Sequence, residues 1–449
     1  MNIVVIGGVA AGAKAASKIK RLLPDSKVSI YTDDTHVSYS SCGLPYYIEG
    51  NFKDYTALLV RSVEEFNKLG IDVYLKSRVD KILTKHKQVL VKDENNAYLV
   101  PYDKLIIATG ASPLVPNISG IKCKNNVFTV RKIEDGINFR EKMFNSNHVT
   151  IIGSGYIGME LLEAFVKNGL KVTVVEKNER IMSMFDDEIS DLIKKRIEEE
   201  NKGNFEFLTS EIVSEFIGEE SVHTVKTLSG KEIQTDMVVI CTGVKPNVDI
   251  ARDAGLEIGV TGAIKVNKLM QTSVPDIYAC GDCCEERHLV SGRSVWIPLG
   301  STANKEGRCA AINASGGVEQ FDGVLGSAVT RCLNTTMSMT GLTEKEASNI
   351  GFNPVSVMLE KHDKVGYMPE VGEIVLKVVA DKITGLLLGA QAIGSVGADK
   401  RINSLTSALV AHMTVEEYSK NDLTYSPPYS PTIDPLINAM LMLQSKIQN

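Results

Sequence analysis

Residues 2–6 (Asn-Ile-Val-Val-Ile) form a short apolar run that ends at Gly7-Gly8. A run of that length bounded by glycine predicts a buried parallel strand meeting a tight turn. Beyond it Ala11, Ala15, Ile19 and Leu22 recur at helical spacing while Lys14, Lys18 and Arg21 fall elsewhere, which predicts an amphipathic helix stopped by Pro24-Asp25. Val28 to Tyr31 supply a second strand, so a βαβ unit closes within about thirty residues. The same order returns at His148–Ile152, followed by Gly153-Ser154-Gly155-Tyr156-Ile157-Gly158 and an apolar run at 172–175. Leu105 to Gly110 and Val238 to Gly243 each carry an apolar run into a Thr-Gly turn, and Ile277-Tyr278-Ala279 runs into Cys280-Gly281-Asp282. A chain that leaves one unit near 110 and returns near 244 contains an inserted domain. After about 317 the pattern changes: Glu373 to Ala380, the turn Asp381 to Gly385, and Leu386 to Ile393 read as a hairpin. The predicted class is α/β. It has two Rossmann-like nucleotide-binding domains, at 1–113 with 244–316 and at 114–243, and a C-terminal α+β domain at 317–449.

Composition acts mainly by exclusion. The 449 residues exceed what one core holds, and 43% hydrophobic with 23% charged residues is an ordinary globular balance. A net charge of −6 offers no basic field for nucleic acid. No apolar stretch approaches the roughly 18 residues of a membrane span, and the first residues lack a basic leader, so a cytoplasmic protein without a membrane partner is expected. Eight cysteines are too sparse for a disulfide scaffold and are expected to be reduced.

Gly153-x-Gly155-x-x-Gly158 is a complete dinucleotide fingerprint between strand and helix. Its glycines allow close approach to a pyrophosphate, whose charge the helix N-terminus stabilises. Glu176, ending the next strand, is placed to bond an adenosine ribose. It favours NADH over NADPH, although Lys177 and Arg180 lie nearby. The N-terminal copy keeps Gly7, Gly8 and Gly12 but has Val9 in the middle position, and Asp33 is expected to face its ribose. Cys42, in Ser38-Tyr39-Ser40-Ser41-Cys42-Gly43-Leu44-Pro45-Tyr46, precedes a predicted helix whose N-terminal dipole would stabilise its thiolate. No second cysteine lies within five residues, so a reactive Cys42 must act as a lone thiol; the alternative is a buried structural cysteine. Cys280, Cys283 and Cys284, with only His288 near, lack the four ligands of a structural zinc site, and no metal is expected.

Taken with Ala108-Thr109-Gly110, Gly153 to Glu160, Thr242-Gly243, Pro298 to Lys305 and Tyr425 to Tyr429, these segments resemble the single-cysteine branch of the FAD-dependent pyridine nucleotide-disulfide oxidoreductases. The likeness spans essentially the whole chain. It implies FAD at Gly7, Gly8, Gly12, Asp33, Ser41, Ala108, Thr109, Gly110, Asp282 and Ala303. It implies NADH or NADPH at Gly153, Gly155, Tyr156, Ile157, Gly158, Glu160, Glu176 and Gly243, and a homodimer formed by the last domain. NADH oxidases and peroxidases of this branch carry a histidine inside the first glycine turn, where this chain has Ala10. The turn and the Cys-Gly-Leu-Pro-Tyr run look more like coenzyme A-disulfide reductases. That likeness implies coenzyme A held on Cys42, a substrate face at Lys18, Arg21 and Ser38, and a catalytic tyrosine from the partner subunit. Tyr425 is the better match by motif and Tyr367 the weaker. The expected reaction is NAD(P)H-dependent reduction of coenzyme A disulfide or a similar small disulfide. The alternatives are reduction of oxygen, peroxide, polysulfide or persulfide through Cys42, or an electron-transfer flavoprotein with a structural Cys42.

Overall fold

The computed structural model describes residues 1–121, 125–200 and 203–448; Cys123 lies outside the described residues. Each glycine motif follows the central strand of a five-stranded parallel sheet. The first sheet runs Ile277–Ala279, Lys104–Ile107, Asn2–Ile6, Lys27–Tyr31, Ile71–Tyr74. The second runs Phe205–Leu208, Lys171–Val175, His148–Ile152, Met237–Ile240, Val127–Phe128. Strands covered on both faces must be apolar on both, which is why Ile3, Val4, Val5, Val149 and Ile151 are all buried. In each sheet the strand order reverses at the glycine-motif strand, and adjoining loops part there to leave a crevice for a ligand.

Each unit also inserts a three-stranded antiparallel sheet before the strand that pairs with the far edge of its glycine-motif strand, one built from Arg78–Leu83, Gln88–Lys92 and Ala97–Pro101 ahead of Lys104–Ile107 and the other from Val213–Ile217, Thr224–Thr227 and Glu232–Gln234 ahead of Met237–Ile240. The departing and returning chain cross as an antiparallel pair, Ala111–Pro113 with Val244–Pro246. Asn247 secures the crossing: its Nδ2 donates to the Thr109 carbonyl at 2.8 Å, and its own carbonyl accepts from Thr109 Oγ1 at 2.7 Å.

The C-terminal unit is a five-stranded antiparallel sheet, Ala328–Cys332, Thr335–Gly341, Leu387–Gly394, Glu373–Asp381, Pro354–His362. The hairpin read from the sequence is the pairing of Glu373–Asp381 with Leu387–Gly394. Helices Ala398–Val410 and Pro435–Gln448 pack against this sheet. Lys377, 1% exposed, pairs with Asp186 at 2.9 Å, Glu344 at 2.8 Å and Glu188, and Gln391 Nε2 donates to Asp186 at 2.6 Å. Asp186 leads into helix Asp187–Glu199 of the second nucleotide unit. Breaking a buried ion pair costs about 3–5 kcal/mol, so this cluster holds that unit firmly on the C-terminal sheet.

Candidate active site

A Cβ at Gly7, whose φ is +98°, would lie 2.1 Å from the Ala108 carbonyl oxygen, and one at Gly12 would lie 2.0 Å from that of Gly7. No side chain fits either place, so only glycine allows this strand-to-helix corner. Val9 is tolerated in the middle position at an ordinary φ of −91°, just before helix Ala10–Leu22. Helix Gly300–Ala314 packs so closely on that helix that a Cβ at Gly307 would meet the Ala11 carbonyl oxygen at 2.4 Å. Gly281, at φ +79°, sits between the two helix starts: a Cβ there would lie 2.9 Å from that of Ala11 and 3.5 Å from that of Ala303. Free N–H groups at two helix N-termini beside one glycine-lined turn suit a diphosphate. Asp282, next in the chain, is held by Arg131 Nη2 at 3.3 Å, and its carbonyl accepts from Trp296 Nε1 at 2.9 Å. Asp33 is exposed and pairs with Lys132 at 3.6 Å, whereas Asp34 is buried and accepts from Tyr39 Oη at 2.8 Å.

The Cys42 loop is tied directly to this turn. Ser38 N donates to the Gly8 carbonyl at 2.8 Å, Val60 N to that of Ser38 at 2.7 Å, and Ser40 N to that of Leu58 at 2.9 Å. These bonds hold Ser38 at φ +52°, a left-handed conformation uncommon for serine. Ser41–Gly43 form one 3₁₀ turn that carries Cys42, and helix Leu44–Glu49 follows. Cys42 is exposed, and a Cβ at Gly300 would stand 3.9 Å from its Sγ. The expected thiolate stabilisation by the following helix is not met. That helix has six residues, and the protein around the sulfur, which lowers its solvation although the residue reaches the surface, pushes the thiol up; the Glu160 and Asp282 carboxylates push it further, against Arg131 and a Ser41 hydrogen bond. Glu160→Gln is therefore expected to shift the pH profile of Cys42 alkylation to lower pH in flavin-free protein, measured as iodoacetamide rate against pH. An unchanged profile removes Glu160 from the thiol's surroundings.

Gly153, at φ +102°, and Gly158 repeat the corner: their Cβ atoms would meet the Cys241 oxygen at 2.5 Å and the Gly153 oxygen at 2.2 Å. Gly155 has open space, its nearest neighbour being Met184 Cε at 3.9 Å, and it precedes helix Tyr156–Lys167 with Tyr156 half-buried and Ile157 exposed. Glu176 is buried beside this turn. Its Oε2 accepts from Ser154 N at 2.9 Å and Ser154 Oγ at 2.7 Å, and its Oε1 from Asn178 N at 2.9 Å. Arg180 is engaged by Glu179, Asp187 and Asp191 at 3.0–3.3 Å. Gly243, at φ +103°, closes the far side through its carbonyl, which accepts from Leu114 N.

On the same helix Glu160 accepts from Thr330 Oγ1 at 3.1 Å, and burial raises its carboxyl. One turn on, Glu163 is 3% exposed and receives Lys167 Nζ at 2.5 Å, Arg331 Nη2 at 2.9 Å and Leu333 N at 2.9 Å, while Lys167 also reaches Glu49 at 2.8 Å. This helix thus joins the end of the Cys42 helix to the edge strand Ala328–Cys332.

Tyr425 and Tyr367 are 50% and 75% exposed on adjoining loops of the C-terminal unit, where Val365 N donates to the Pro427 carbonyl. Arg401, 1% exposed, binds both loops: Asp434 Oδ1 at 3.1 Å and the Asp363 carbonyl at 3.1 Å. On the first helix Arg21 Nε donates to the Ser17 carbonyl at 3.1 Å, and Arg61 Nη1 to Ser17 Oγ at 2.9 Å; Lys18 is the next residue. Sequence reasoning missed Arg61, Arg131, Glu163 and Glu306. The signal for Arg61 was its place one residue past the segment that pairs with Ser38. The thiols of Cys283 and Cys284 donate to backbone carbonyls, Ile107 and Cys280 for one and Gly281 for the other. Among the described residues the three cysteines do not come together as metal ligands.

Residues 1–307 match the family described as pyridine nucleotide-disulphide oxidoreductase, and residues 329–436 match the dimerisation domain of that family. The chain is 40% identical over 440 residues to the NAD(P)H sulfur oxidoreductase (CoA-dependent) of Pyrococcus abyssi, covering 97% of this chain and 96% of that one. It is 30% identical to the coenzyme A disulfide reductase of Staphylococcus epidermidis, covering 97% and 98%. The reduced CoADR-RHD of Bacillus anthracis superposes with a TM-score of 0.96 at 33% identity, covering 100% of this chain and 80% of that one. Among the described residues no helix is long and apolar enough to cross a membrane. The chain belongs to the pyridine nucleotide-disulphide oxidoreductases and is an NAD(P)H- and FAD-dependent oxidoreductase acting on sulfur, similar to coenzyme A-disulfide reductase.

Proposed function

We propose that the protein reduces sulfur acceptors of the coenzyme A class, coenzyme A disulfide or a coenzyme A persulfide, through Cys42 alternating between mixed disulfide and thiolate. The carrying observation is an exposed lone thiol on a loop whose paired segment leads to two guanidiniums converging on Ser17. A strip from thiol to cationic face suits a thiol with a phosphate-bearing tail. The relatives named for coenzyme A-dependent sulfur and disulfide reduction support the same class. Glu176 at the second turn, with Arg180 already ion-paired, supports NADH as the donor.

FAD, when bound, passes two electrons from the nicotinamide to sulfur. The chain's own part is thiol chemistry. Two electrons and one proton convert the Cys42 mixed disulfide to Cys42 thiolate and a free thiol. The thiolate attacks a sulfur of the next disulfide; the new S–S bond restores the mixed disulfide, and the expelled thiolate takes a proton from Tyr425 of a second copy of the chain. With a persulfide the group expelled is hydrosulfide. Burial, then Glu160 and Asp282, make the Cys42 thiolate more basic and so a stronger nucleophile once formed, while Arg131 beside Asp282 favours its formation. The test is anaerobic NADH consumption with coenzyme A disulfide and coenzyme A persulfide, set against oxygen alone. Faster turnover of the sulfur acceptors is expected, and faster turnover of oxygen overturns the reading. Arg61→Ala is expected to raise KM for coenzyme A disulfide about tenfold with kcat nearly unchanged, since it removes a charge-assisted contact remote from the sulfur. Steady-state kinetics with a small uncharged disulfide, whose KM should not move, checks the assignment.

A further inference from the structure

Glu306 lies in the middle of helix Gly300–Ala314, one residue before the glycine that meets Ala11, and is 0% exposed. Its Oε2 accepts from Gly281 N at 2.6 Å and lies 3.6 Å from Cys284 Sγ, while its Oε1 has no hydrogen-bond partner. The turn it holds is the one carrying Asp282. The ionisable groups that act on it are acids, while Lys305 and Arg308 of its own helix are exposed and Arg308 pairs with Glu319. Glu286 and Asp282 face it from the loop after strand Ile277–Ala279, Cys280, Cys283 and Cys284 from the same loop, and Cys309 from its own helix; the first helix meets this place with Ala11. The nearby cation is Arg131, which is spent on Asp282. A buried carboxylate needs a counter-charge, and a carboxyl without one keeps its proton.

We infer that Glu306 is carried as a neutral carboxylic acid that braces the Gly281–Asp282 turn, so that binding of FAD is linked to retention of one proton on this side chain. Burial, reinforced by the Glu286 carboxyl, holds Glu306 well above the usual carboxylate range, while the Gly281 N–H and the Cys284 thiol pull the other way. The diphosphate of FAD adds negative charge to the same region and raises the acid further when bound. The sign follows: a group whose proton is held more tightly in the complex favours binding below its value in the free protein and weakens it above. The FAD dissociation constant should therefore rise about tenfold per pH unit once that value is passed. Proton loss would place a carboxylate among two others under the turn and loosen it.

Glu306→Gln keeps the shape and the acceptor for Gly281 N–H but cannot ionise. FAD release from the purified holoprotein, followed by flavin fluorescence across alkaline pH, is expected to rise with pH in the native enzyme and to stay flat in Glu306→Gln. An equal rise in both proteins overturns the inference. Should the variant fold poorly, infrared spectroscopy of holoprotein that keeps Glu306 decides. With Glu160 and Glu286, the other carboxyls that burial raises, replaced by glutamine in that holoprotein, a protonated-carboxyl band at neutral pH belongs to Glu306. No such band at that pH overturns it equally.

Discussion

Cys42→Ser is expected to bind FAD and to be reduced by NADH at close to the native rate while losing disulfide turnover by a factor on the order of 10⁴ to 10⁶. The fold should not object, because Cys42 is exposed and the change is one atom. Serine at this position has no base to activate its hydroxyl, and the carboxylates of Glu160 and Asp282 already oppose negative charge on the native sulfur. Among the described residues Cys280, Cys283, Cys284, Cys309 and Cys332 are buried, and Cys241, half-buried, stands at the second glycine turn. Stopped-flow reduction of the flavin band separates the two half-reactions, and NADH consumption with coenzyme A disulfide measures the whole. Mass of the denatured, unreduced protein supplies an independent arm. Native enzyme should carry a coenzyme A-sized adduct on Cys42 that a reductant removes, and the variant none. Retained disulfide turnover in the variant would sink the mechanism, and an oxygen adduct alone on native Cys42 would move the acceptor to peroxide or oxygen.

The parts legible in the sequence are those that local pattern controls. Glycines that no side chain could replace, at 7, 12, 153 and 158, stand at fixed distances from apolar strands, and a reader of the chain finds both crevices from them. Harder to read was anything settled by a partner far along the chain. Glu160 follows the second glycine motif and reads as a nicotinamide-site residue, yet its carboxylate acts on Cys42, more than one hundred positions away. Burial first and that proximity second push the thiol up, against the pull expected of the short helix after Cys42, so the dipole argument failed at the step from helix propensity to electrostatic surroundings. Arg61 is an isolated basic residue in sequence and joins Ser17 only because Leu58 to Val60 pair with Ser38 to Ser40. Glu306, between Lys305 and Arg308 in its helix, looks like a solvated charge until two helices close over it. Both three-stranded insertions were missed because short strands of mixed burial, such as Arg78–Leu83, lack the long apolar run that marks a buried parallel strand.

Tyr425→Phe should slow the thiol steps about 10²- to 10⁴-fold, the range for losing a positioned acid, and leave reduction of the flavin by NADH untouched. The defect should be largest with weakly acidic leaving thiols, which need the proton most, and should shrink for the more acidic hydrosulfide. Both this tyrosine and Tyr367 project from loops of the C-terminal unit that Arg401 clamps together, and both are exposed in the single chain, as residues completing a neighbour's site must be. A mixing experiment decides whether the tyrosine acts across the dimer. Cys42→Ser and Tyr425→Phe chains, each inactive alone, are unfolded, combined in equal amounts and refolded with FAD. Random pairing makes half the dimers hybrid, and each hybrid joins Cys42 of one chain to Tyr425 of the other at one of its two sites. About a quarter of native activity should therefore return. A tyrosine acting within its own chain predicts no recovery, because no hybrid chain then holds both groups. Full native rates in Tyr425→Phe alone would pass the acid's role to Tyr367, for which the same mixing with Tyr367→Phe gives the same arithmetic.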